Sequence, residues 1–254
     1  MADLGPRIWQ ARHDGSLLPR ADVAHVTSRE DAYAEQAAGA DASGLTRAGW
    51  KVAATSELAQ QMLGVPGPSI GPVFAEHISD TPATVGAKTA HQDAVECEFA
   101  FVIGRDLGDA SDISRDDIIA AVDHALVAIE IVGCRFEGGF AEAGANLCIS
   151  DFSFNVGFVR GPQIENWPDV DLSKAPAAMH LNGEKVAQGK GADVMGDPVD
   201  ALRWAAEEAA RIGKPFKAGD VVTTGTMTGA VKVAPGDNVV GDFGDLGKVE
   251  ISFN

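Results

Sequence analysis

The chain has 254 residues, of which 45% are hydrophobic, and it carries a formal net charge of −17. This length fits one large domain, or a main domain with a small extension, and the hydrophobic content is enough for a substantial core. The acidity argues against nucleic-acid binding, which depends on basic patches, and against binding to an anionic membrane surface.

Membrane and secretory signals are missing from the sequence. No apolar run approaches the roughly 20 residues that a membrane-spanning helix needs, and the opening MADLGPRIWQ has no signal-peptide core. The three cysteines, Cys97, Cys134 and Cys148, form neither a zinc-type pair nor a disulfide framework. We therefore expect a cytoplasmic protein that binds neither a nucleic acid nor a membrane.

Two helices are predicted in the first quarter of the chain. The first follows Ser28, where Asp31 completes a pattern similar to a capping box before AYAEQAA. The stretch QAAGADASGLTRAG (36–49) is small and contains glycine, so it is predicted to connect this helix to the rest. A second short helix is predicted to begin at Ser56 and to run through ELAQQML.

Two further helices are predicted later in the chain. One follows Ser114, has Asp117 three residues on, and runs through IIAAVDHAL. The other has the clearest signals, with Asp197 as N-cap, Pro198 at the first helical position and Gly213 as its stop.

Seven short segments rich in β-branched and aromatic residues are predicted to form strands. In chain order they read AVECEFAFVIG, LVAIEIVG, FSFNVGFVRG, AMHLNGEKV, DVVTTG, DNVVGDF and KVEISF. Turn signals such as Asn182-Gly183 separate them. Because the strands do not alternate regularly with helices, we predict an α+β fold with a largely antiparallel or mixed β core, and not a doubly wound parallel sheet.

Three glutamates interrupt the apolar strands. Glu96 and Glu98 lie in VECEFAFVIG, where alternation puts both on one face, and Glu130 lies in LVAIEIVG. They could face solvent, pair with buried lysine or arginine, or converge on a cation. Carboxylate-only ligation would suit Mg²⁺ or Mn²⁺. Cys97 points to the opposite face and is predicted to be a core residue, not a nucleophile.

Lys51 is surrounded by apolar residues in GWKVAAT. Desolvation there would lower its pKa toward acid/base use, or its ammonium could face an anionic substrate. The alternative is a lysine whose stem packs while its head reaches water. In GPVFAEHI, Glu76 and His77 could each act as a general acid or base, or lie at the surface.

The segment TTGTMTGA is a Gly/Thr-rich loop after the predicted strand DVV. Such a loop can offer backbone N–H groups and hydroxyls to a carboxylate or oxyanion, but it can also be an ordinary hairpin connection. It is not a P-loop, because the GxxxxGK[ST] pattern is absent.

Four segments together resemble one known family. GWKVAATSELAQQMLGVPGPSIGPVFAEHI, VECEFAFVIGRDL, ALVAIEIVGCR and GDVVTTGTMTGAV are similar to the 2-keto-4-pentenoate hydratase branch of the fumarylacetoacetate hydrolase superfamily, which also includes 4-oxalocrotonate decarboxylases. The resemblance extends from SREDAYAEQAA to the C-terminus. The ExE strand with a later strand glutamate is typical of the superfamily, and the G-(Y/W)-K-V segment is typical of the branch.

The resemblance implies a role for each matching residue. Glu96, Glu98 and Glu130 would hold Mg²⁺ or Mn²⁺, and Lys51 would be the active-site lysine. Glu76 would be an acidic residue that lines the pocket. Thr226 and Asp151 would bind the substrate.

The implied fold is a mixed β-sandwich or roll with peripheral helices, forming a homo-oligomer. We expect a single catalytic domain, with a small helical region at 1–48 and a metal-binding β core at 49–254. In one segment the chain departs from the family: characterised hydratases tend to carry a segment similar to D-N-A-S where this sequence reads Asp151-Phe152-Ser153-Phe154. The loss of two polar residues predicts a more apolar pocket.

The expected activity is hydration of a small anionic 2-hydroxy-2,4-dienoate, an intermediate of aromatic catabolism, with Lys51 and Glu76 sharing proton transfer and water orientation. The nearest alternative is a decarboxylase of an oxalocrotonate-type acid on the same scaffold. A C–C hydrolase is disfavoured because GWKVAAT lacks the histidine that such enzymes have on a lid segment. A non-catalytic subunit associated with a pathway decarboxylase is the remaining alternative.

Overall fold

The computed structural model describes residues 4–141 and 143–254. The α-helices in these residues are Leu4–Asp14 (α1), Arg29–Ser43 (α2), Glu57–Leu63 (α3), Arg115–Ile119 (α4), Gly144–Ser150 (α5) and Pro198–Arg211 (α6). No helix in the described part of the chain has both the length and the apolar character of a membrane span.

The described strands fall into two sheets. Their bounds are Arg47–Ala53 (β1), Ser69–Phe74 (β2), Ile78–Asp80 (β3), Ala83–Val85 (β4), Ala94–Ile103 (β5), Val122–Val132 (β6), Asn155–Gln163 (β7), Pro176–Leu181 (β8), Glu184–Lys190 (β9), Val221–Thr223 (β10), Val231–Lys232 (β11), Asn238–Asp242 (β12) and Lys248–Phe253 (β13).

The larger sheet has the order β2-β1-β10-β5-β6-β7-β3, with β11 paired to β5, and the smaller has the order β4-β13-β12-β8-β9. Most neighbours are antiparallel, but β1 with β10, β3 with β7 and β4 with β13 are parallel. The predicted α+β class with a mixed β core is therefore confirmed.

The core lies between one face of the larger sheet and the smaller sheet. Phe99 of β5 lies 6.0 Å, centroid to centroid, from the ring of Phe243 at the end of β12. Gly241 of β12 packs so closely that a Cβ there would lie 3.0 Å from Cys97 Sγ. Burial raises the pKa of the Cys97 thiol to about 12, which agrees with its prediction as a core residue.

The capping signals identify four helix starts, including that of α4, where Ser114 accepts the Asp117 N–H. Ser28 and Asp31 form a reciprocal capping box at the start of α2. Ser56 accepts the Ala59 N–H at the start of α3, and Asp197 accepts the Val199 N–H at the start of α6. Because α2 extends to Ser43, it includes much of the stretch that was predicted to be a connection.

The third predicted helix is wrong beyond its first turns. The helix α4 ends at Ile119, and the segment VDHAL belongs to the strand β6. This strand pairs with β5 on one side and β7 on the other, so ladder hydrogen bonds and burial outweigh the local helical pattern. The helix α1, for which no signal was identified, packs against α2.

The strand predicted at FSFNVGFVRG starts three residues after its predicted first residue. Phe152, Ser153 and Phe154 have φ angles of +55°, +50° and +66°, so they form a left-handed turn, and β7 starts only at Asn155. Phe152 packs against the rings of Trp9 and Phe74, and Phe154 packs against Phe140. Both phenyl rings are thus core residues, and not the apolar pocket wall that the sequence predicts.

Candidate metal centre and active site

Three carboxylates converge on one face of the larger sheet. Glu96 and Glu130 are directly opposite each other in the antiparallel pair β5–β6, and Glu98 lies two residues along β5 on the same face. One ligand oxygen from each residue lies within 4.8 Å of the others. Glu98 and Glu130 are fully buried, which rules out the interpretation that these glutamates form a solvated strand face.

The electrostatics of this cluster favour a bound cation. Burial, and then Glu130 and Glu96, raise the pKa of Glu98 well above its usual value. Burial also raises the pKa of Glu96 to about 7, against the opposing effect of Lys51. With all three carboxyls ionised, the single ammonium would leave two negative charges unbalanced in a buried site, and a divalent cation would balance them.

Two carboxylate oxygens in the cluster are available as ligands. Within the described chain, Glu98 Oε1 is buried without a partner, and Glu130 Oε2 is buried with the Lys51 ammonium as its charged neighbour at 3.1 Å. A buried oxygen without a partner, such as Glu98 Oε1, is costly unless an ion satisfies it. Oxygen-only donors suit a hard divalent cation such as Mg²⁺ or Mn²⁺, so the three glutamates fit the ion that the sequence implies.

Lys51 supplies the positive charge beside the cluster. It projects from β1 and is 2% exposed, and its Nζ lies 3.1 Å from Glu130 Oε2. Nζ also donates a hydrogen bond of 2.9 Å to the carbonyl oxygen of Ser153. Burial alone would lower the Lys51 pKa, but Glu130, and then Glu96 and Glu98, raise it. Of the alternatives left open by the sequence, a charged ammonium that faces an anionic substrate therefore fits best.

The Gly/Thr-rich loop after β10 closes one side of the cluster. The Gly225 N–H donates a hydrogen bond of 2.8 Å to Glu98 Oε2. Thr226, next to it, is partly buried, and its hydroxyl accepts the Thr228 N–H. The Thr228 hydroxyl in turn accepts the Cys97 N–H at 3.2 Å, which fixes the loop on β5. Thr226 thus lies in the loop that Gly225 joins to Glu98, and its expected contact with a substrate carboxylate stays a prediction.

Asp151 lies behind the cluster in a buried ion pair. It is fully buried, and its carboxylate accepts hydrogen bonds from the Arg135 backbone N–H at 2.9 Å and from Arg135 Nε at 2.5 Å. Burial raises the pKa of Asp151, against the opposing effect of Arg135. Since both carboxylate oxygens are committed to Arg135, the geometry gives Asp151 a structural role, not direct substrate contact.

Glu76 is not brought to the cluster. It lies in a short 3₁₀ turn after β2, its side chain is exposed, and its carboxylate accepts the Thr46 N–H. Gly71, the β2 partner of Lys51, precedes it by several residues. The expected sharing of proton transfer between Lys51 and Glu76 is therefore not supported by this geometry.

His77 is held as a neutral ring away from the cluster. Burial, and then the neighbouring charge of Arg12, lower its pKa to about 4. Arg12 Nη2 lies 2.8 Å from His77 Nδ1, which must then be the acceptor. In this arrangement His77 is a hydrogen-bond partner of Arg12 and does not have the acid/base role that the sequence left open.

Two polar residues at the cluster carry no sequence motif and were missed. Asn155 Nδ2 donates a hydrogen bond of 2.9 Å to Glu130 Oε1. The hydroxyl of Ser69 lies 2.9 Å from that of Ser153, whose carbonyl oxygen binds Lys51. Their only sequence signal was a polar residue within an apolar segment, which is common in strands that have no function.

Comparison with known proteins relates the whole chain to one family. The profile described as fumarylacetoacetate (FAA) hydrolase C-terminal matches residues 66–254. A 2-keto-4-pentenoate hydratase from Paraburkholderia xenovorans (strain LB400) is 31% identical over 254 residues, covering 97% of this chain and 92% of the relative. A 2-hydroxyhexa-2,4-dienoate hydratase from Comamonas testosteroni is 30% identical over 255 residues, covering 98% and 96%.

A solved structure gives the same relation. A 4-oxalocrotonate decarboxylase from Pseudomonas putida G7, complexed with magnesium and adipate, matches with a TM-score of 0.88 and 26% identity, covering 99% of this chain and 96% of that chain. The match spans both sheets and the carboxylate cluster. A protein with this fold has therefore been observed with magnesium.

Proposed function

Because this chain belongs to the fumarylacetoacetate hydrolase family, we propose that it is a divalent-metal-dependent hydratase. It adds water to a 2-hydroxy-2,4-dienoate and gives a 4-hydroxy-2-oxo acid, in the catabolism of aromatic compounds. The observation that carries the proposal is the buried cluster of Glu96, Glu98 and Glu130 beside Lys51. The chain also matches relatives named as hydratases over nearly their whole length.

Glu96, Glu98 and Glu130 would hold the ion through carboxylate oxygens. The bound ion would supply Lewis acidity, polarising the 2-oxygen of the substrate and stabilising enolate charge. The Gly225 N–H keeps one Glu98 oxygen in place, which leaves Oε1 as its free donor atom. Asn155 does the same for Glu130, because it binds Oε1 and leaves Oε2 on the side of Lys51.

Lys51 is our choice for the proton-transfer group. An ammonium has three N–H donors. One of them is directed to Ser153 O and a second lies toward Glu130, so the third is free to face a substrate bound at the carboxylates. From that position Nζ would deliver a proton to C5 of the dienol while the 2-hydroxyl proton leaves to solvent, which gives a conjugated enone whose C4 is electrophilic toward water. Thr226 would bind the substrate carboxylate from the loop.

A spectroscopic assay tests the proposal. The absorbance of a 2-hydroxydienoate should decay with Mg²⁺ or Mn²⁺ and persist in EDTA, and Glu96→Gln should abolish the decay. Glu250→Gln, which changes an exposed strand glutamate, is the matched control and should retain activity. Equal activity in EDTA and in Glu96→Gln would overturn the metal assignment.

Decarboxylation of a 2-oxo diacid is the second candidate. It is favoured by the structural match to the 4-oxalocrotonate decarboxylase, which covers nearly the whole of both chains. The same ion would serve as electron sink, and the product would be CO₂ instead of a hydrated acid. Measuring CO₂ release from an oxalocrotonate-type diacid separates the two candidates.

We also propose that the protein works in the cytoplasm as a homo-oligomer and that it can associate with a pathway decarboxylase. The few buried thiols, Cys97, Cys134 and Cys148, suit a reducing compartment. Light scattering on the purified chain, alone and mixed with such a decarboxylase, measures both kinds of assembly.

A further inference from the structure

The left-handed turn at 152–154 is the most unusual backbone feature near the cluster. Its three residues all have positive φ, none of them is glycine, and all three side chains are buried. A left-handed conformation costs L-residues about 1–2 kcal/mol each. Such a segment persists only where the surrounding structure fixes it, and segments of this kind concentrate at functional sites.

The turn directs two polar groups at the proposed active site. The Ser153 carbonyl oxygen, in the middle of the turn, accepts the hydrogen bond from Lys51 Nζ at 2.9 Å. Asn155, directly after the turn, donates from Nδ2 to Glu130 Oε1 at 2.9 Å. An extended backbone at 152–154 would move both groups. The conformation of the turn therefore determines where Lys51 and Glu130 are held.

Two buried arginines fix the ends of the turn. Arg135 binds the start, because Nη2 donates to the Asp151 carbonyl oxygen at 2.7 Å while Nε binds the Asp151 carboxylate. Arg12 binds the end, because Nη1 donates to the Asn155 carbonyl oxygen at 2.9 Å and Nη2 donates to that of Val156. Gly71 makes room for the middle, since a Cβ there would lie 2.0 Å from the Phe152 carbonyl oxygen.

Arg12 is costly at this position. It is 5% exposed and lies among the rings of Trp9, Phe74 and Phe152, at 5.5, 5.6 and 5.7 Å from their centroids. Within the described residues it binds carbonyl oxygens and a neutral imidazole, whereas the nearby carboxylate of Asp151 is paired with Arg135. A second buried guanidinium without a carboxylate of its own does not maximise stability. Its cost suggests a positional role.

We propose that Arg12 is a positioning residue for the metal centre. It holds the left-handed turn in place from α1 and so aims Asn155 at Glu130 and the Ser153 carbonyl oxygen at Lys51. Only the expected change in kcat rests on the proposed function. The expected change in ion binding does not, because binding by the carboxylates can be measured without any substrate.

Arg12→Lys and Arg12→Met test the proposal against a matched control, Arg29→Met. Arg29 also lies over an aromatic ring, 5.4 Å from the centroid of Tyr33, and also donates to a backbone carbonyl, that of Pro68. Its ion pair with Glu208 joins α2 to α6, away from the carboxylates. All variants are compared by their Mn²⁺ dissociation constants, measured by electron paramagnetic resonance, by their melting temperatures and by kcat and KM.

Both Arg12 variants should weaken Mn²⁺ binding by about 10-fold or more, because they should displace Asn155, the outer partner of Glu130. Lysine retains the charge but cannot bind two carbonyl groups in the same geometry, so Arg12→Lys should not rescue the affinity. If Arg12→Met is too unstable to purify in a folded state, Arg12→Lys is the variant in which Mn²⁺ binding is measured. Arg29→Met should have a lower melting temperature but the same Mn²⁺ affinity as the wild type. In the Arg12 variants alone, the fold-decrease in kcat should exceed the fold-change in KM.

A second pair of variants tests the strain itself. Ser153→Gly and Ser153→Ala both remove the hydroxyl next to Ser69, but only glycine tolerates φ of +50° without cost. The glycine variant should melt about 2–4 °C above the alanine variant. An equal or lower melting temperature would show that the turn is unstrained and would overturn that part of the argument.

The outcomes separate this inference from the proposed function. Wild-type Mn²⁺ affinity in both Arg12 variants overturns the inference even if the enzyme is a hydratase. Weakened affinity in those variants supports it even if no dienoate is hydrated. A wild-type protein that binds no Mn²⁺ would overturn both the inference and the proposed metal centre.

Discussion

Gly225 and Glu98 are joined by a hydrogen bond of 2.8 Å from the backbone N–H to Oε2. The contact fixes a loop from the last third of the chain on a carboxylate of β5. It leaves the other oxygen of Glu98 as a free ligand atom. Loop and carboxylate therefore form one unit, and a change in the loop should be detected as a change in ion binding.

Gly225→Ala is expected to disrupt that unit. Gly225 has φ of +104°, and a Cβ there would lie 2.0 Å from Thr55 Oγ1, so the loop must shift. We expect a loss of about 2–4 kcal/mol in the free energy of unfolding, together with weaker Mn²⁺ binding. Gly236→Ala is the control, because φ is similar at +95° and no atom lies within 4 Å of its Cβ. Denaturant titration and Mn²⁺ titration should show the difference; equal losses in both variants would refute the steric argument.

Glu98→Gln is expected to have opposite effects on the metal-free and metal-bound proteins. In the absence of metal, Glu98→Gln replaces a buried carboxyl whose pKa is raised by burial and by Glu130 and Glu96, so the neutral amide should raise the free energy of unfolding by about 1–2 kcal/mol. In its presence, the wild type gains about 2.7 kcal/mol at an ion concentration of 100 times Kd, and the variant should lose most of that gain. Thermal unfolding with EDTA and with Mn²⁺ measures both effects. Exposed Glu250→Gln should change neither.

Lys51→Met is expected to stop turnover without removing the ion. The substitution retains the apolar stem but removes the ammonium that lies 3.1 Å from Glu130 Oε2. We expect kcat to fall about 10²–10⁴-fold, the usual contribution of a proton-transfer group. Mn²⁺ affinity should not decrease, since a neighbouring positive charge has been removed. Stopped-flow absorbance and Mn²⁺ titration check these two results, with exposed Lys232→Met as the control. Full activity in Lys51→Met would exclude the lysine from catalysis.

Glu208 is expected to determine part of the acid stability. Burial would raise its pKa, but hydrogen bonds from Arg211, and then Arg29, outweigh burial and lower it to about 2 from 4.5. A folded-state pKa below the unfolded value contributes stability above pH 4.5 that is lost as the pH falls toward 2. Glu208→Gln should therefore lower stability at neutral pH by on the order of 2 kcal/mol and flatten the decline in this window. Urea unfolding across pH 2–7 tests this, and parallel pH curves for both proteins would contradict it.

The local signals in the sequence were sufficient to predict several parts of the fold and site. A residue such as Ser28 or Asp197 forms its cap within three positions, so no distant contact is needed to recognise it. The shared face of Glu96 and Glu98 follows from strand alternation alone. Their convergence with Glu130 required the register of β5 and β6, which spacing could not supply and the family resemblance did.

The remaining features depend on contacts between distant parts of the chain. VDHAL has a helical pattern but becomes part of β6, because its ladder partners come from β5 and β7. The turn at 152–154 contains no glycine to indicate positive φ, and it is stabilised by Arg12 from α1, far away in sequence. Glu76 matches the family pattern by sequence, yet the end of β2 turns it to the surface.

The order of strands in the larger sheet also has a consequence for synthesis of the protein. Lys51 lies on β1, whose parallel neighbour β10 and the Gly225 loop come from near the end of the chain. During translation, a ribosome-bound chain could therefore form the Glu96–Glu130 hairpin early but would lack both β10 and the loop that fixes Glu98. An ion captured at that stage would meet all three glutamates but not the Gly225 N–H that fixes Glu98, so the geometry of the metal centre should be complete only after the Gly225 loop has folded onto β5.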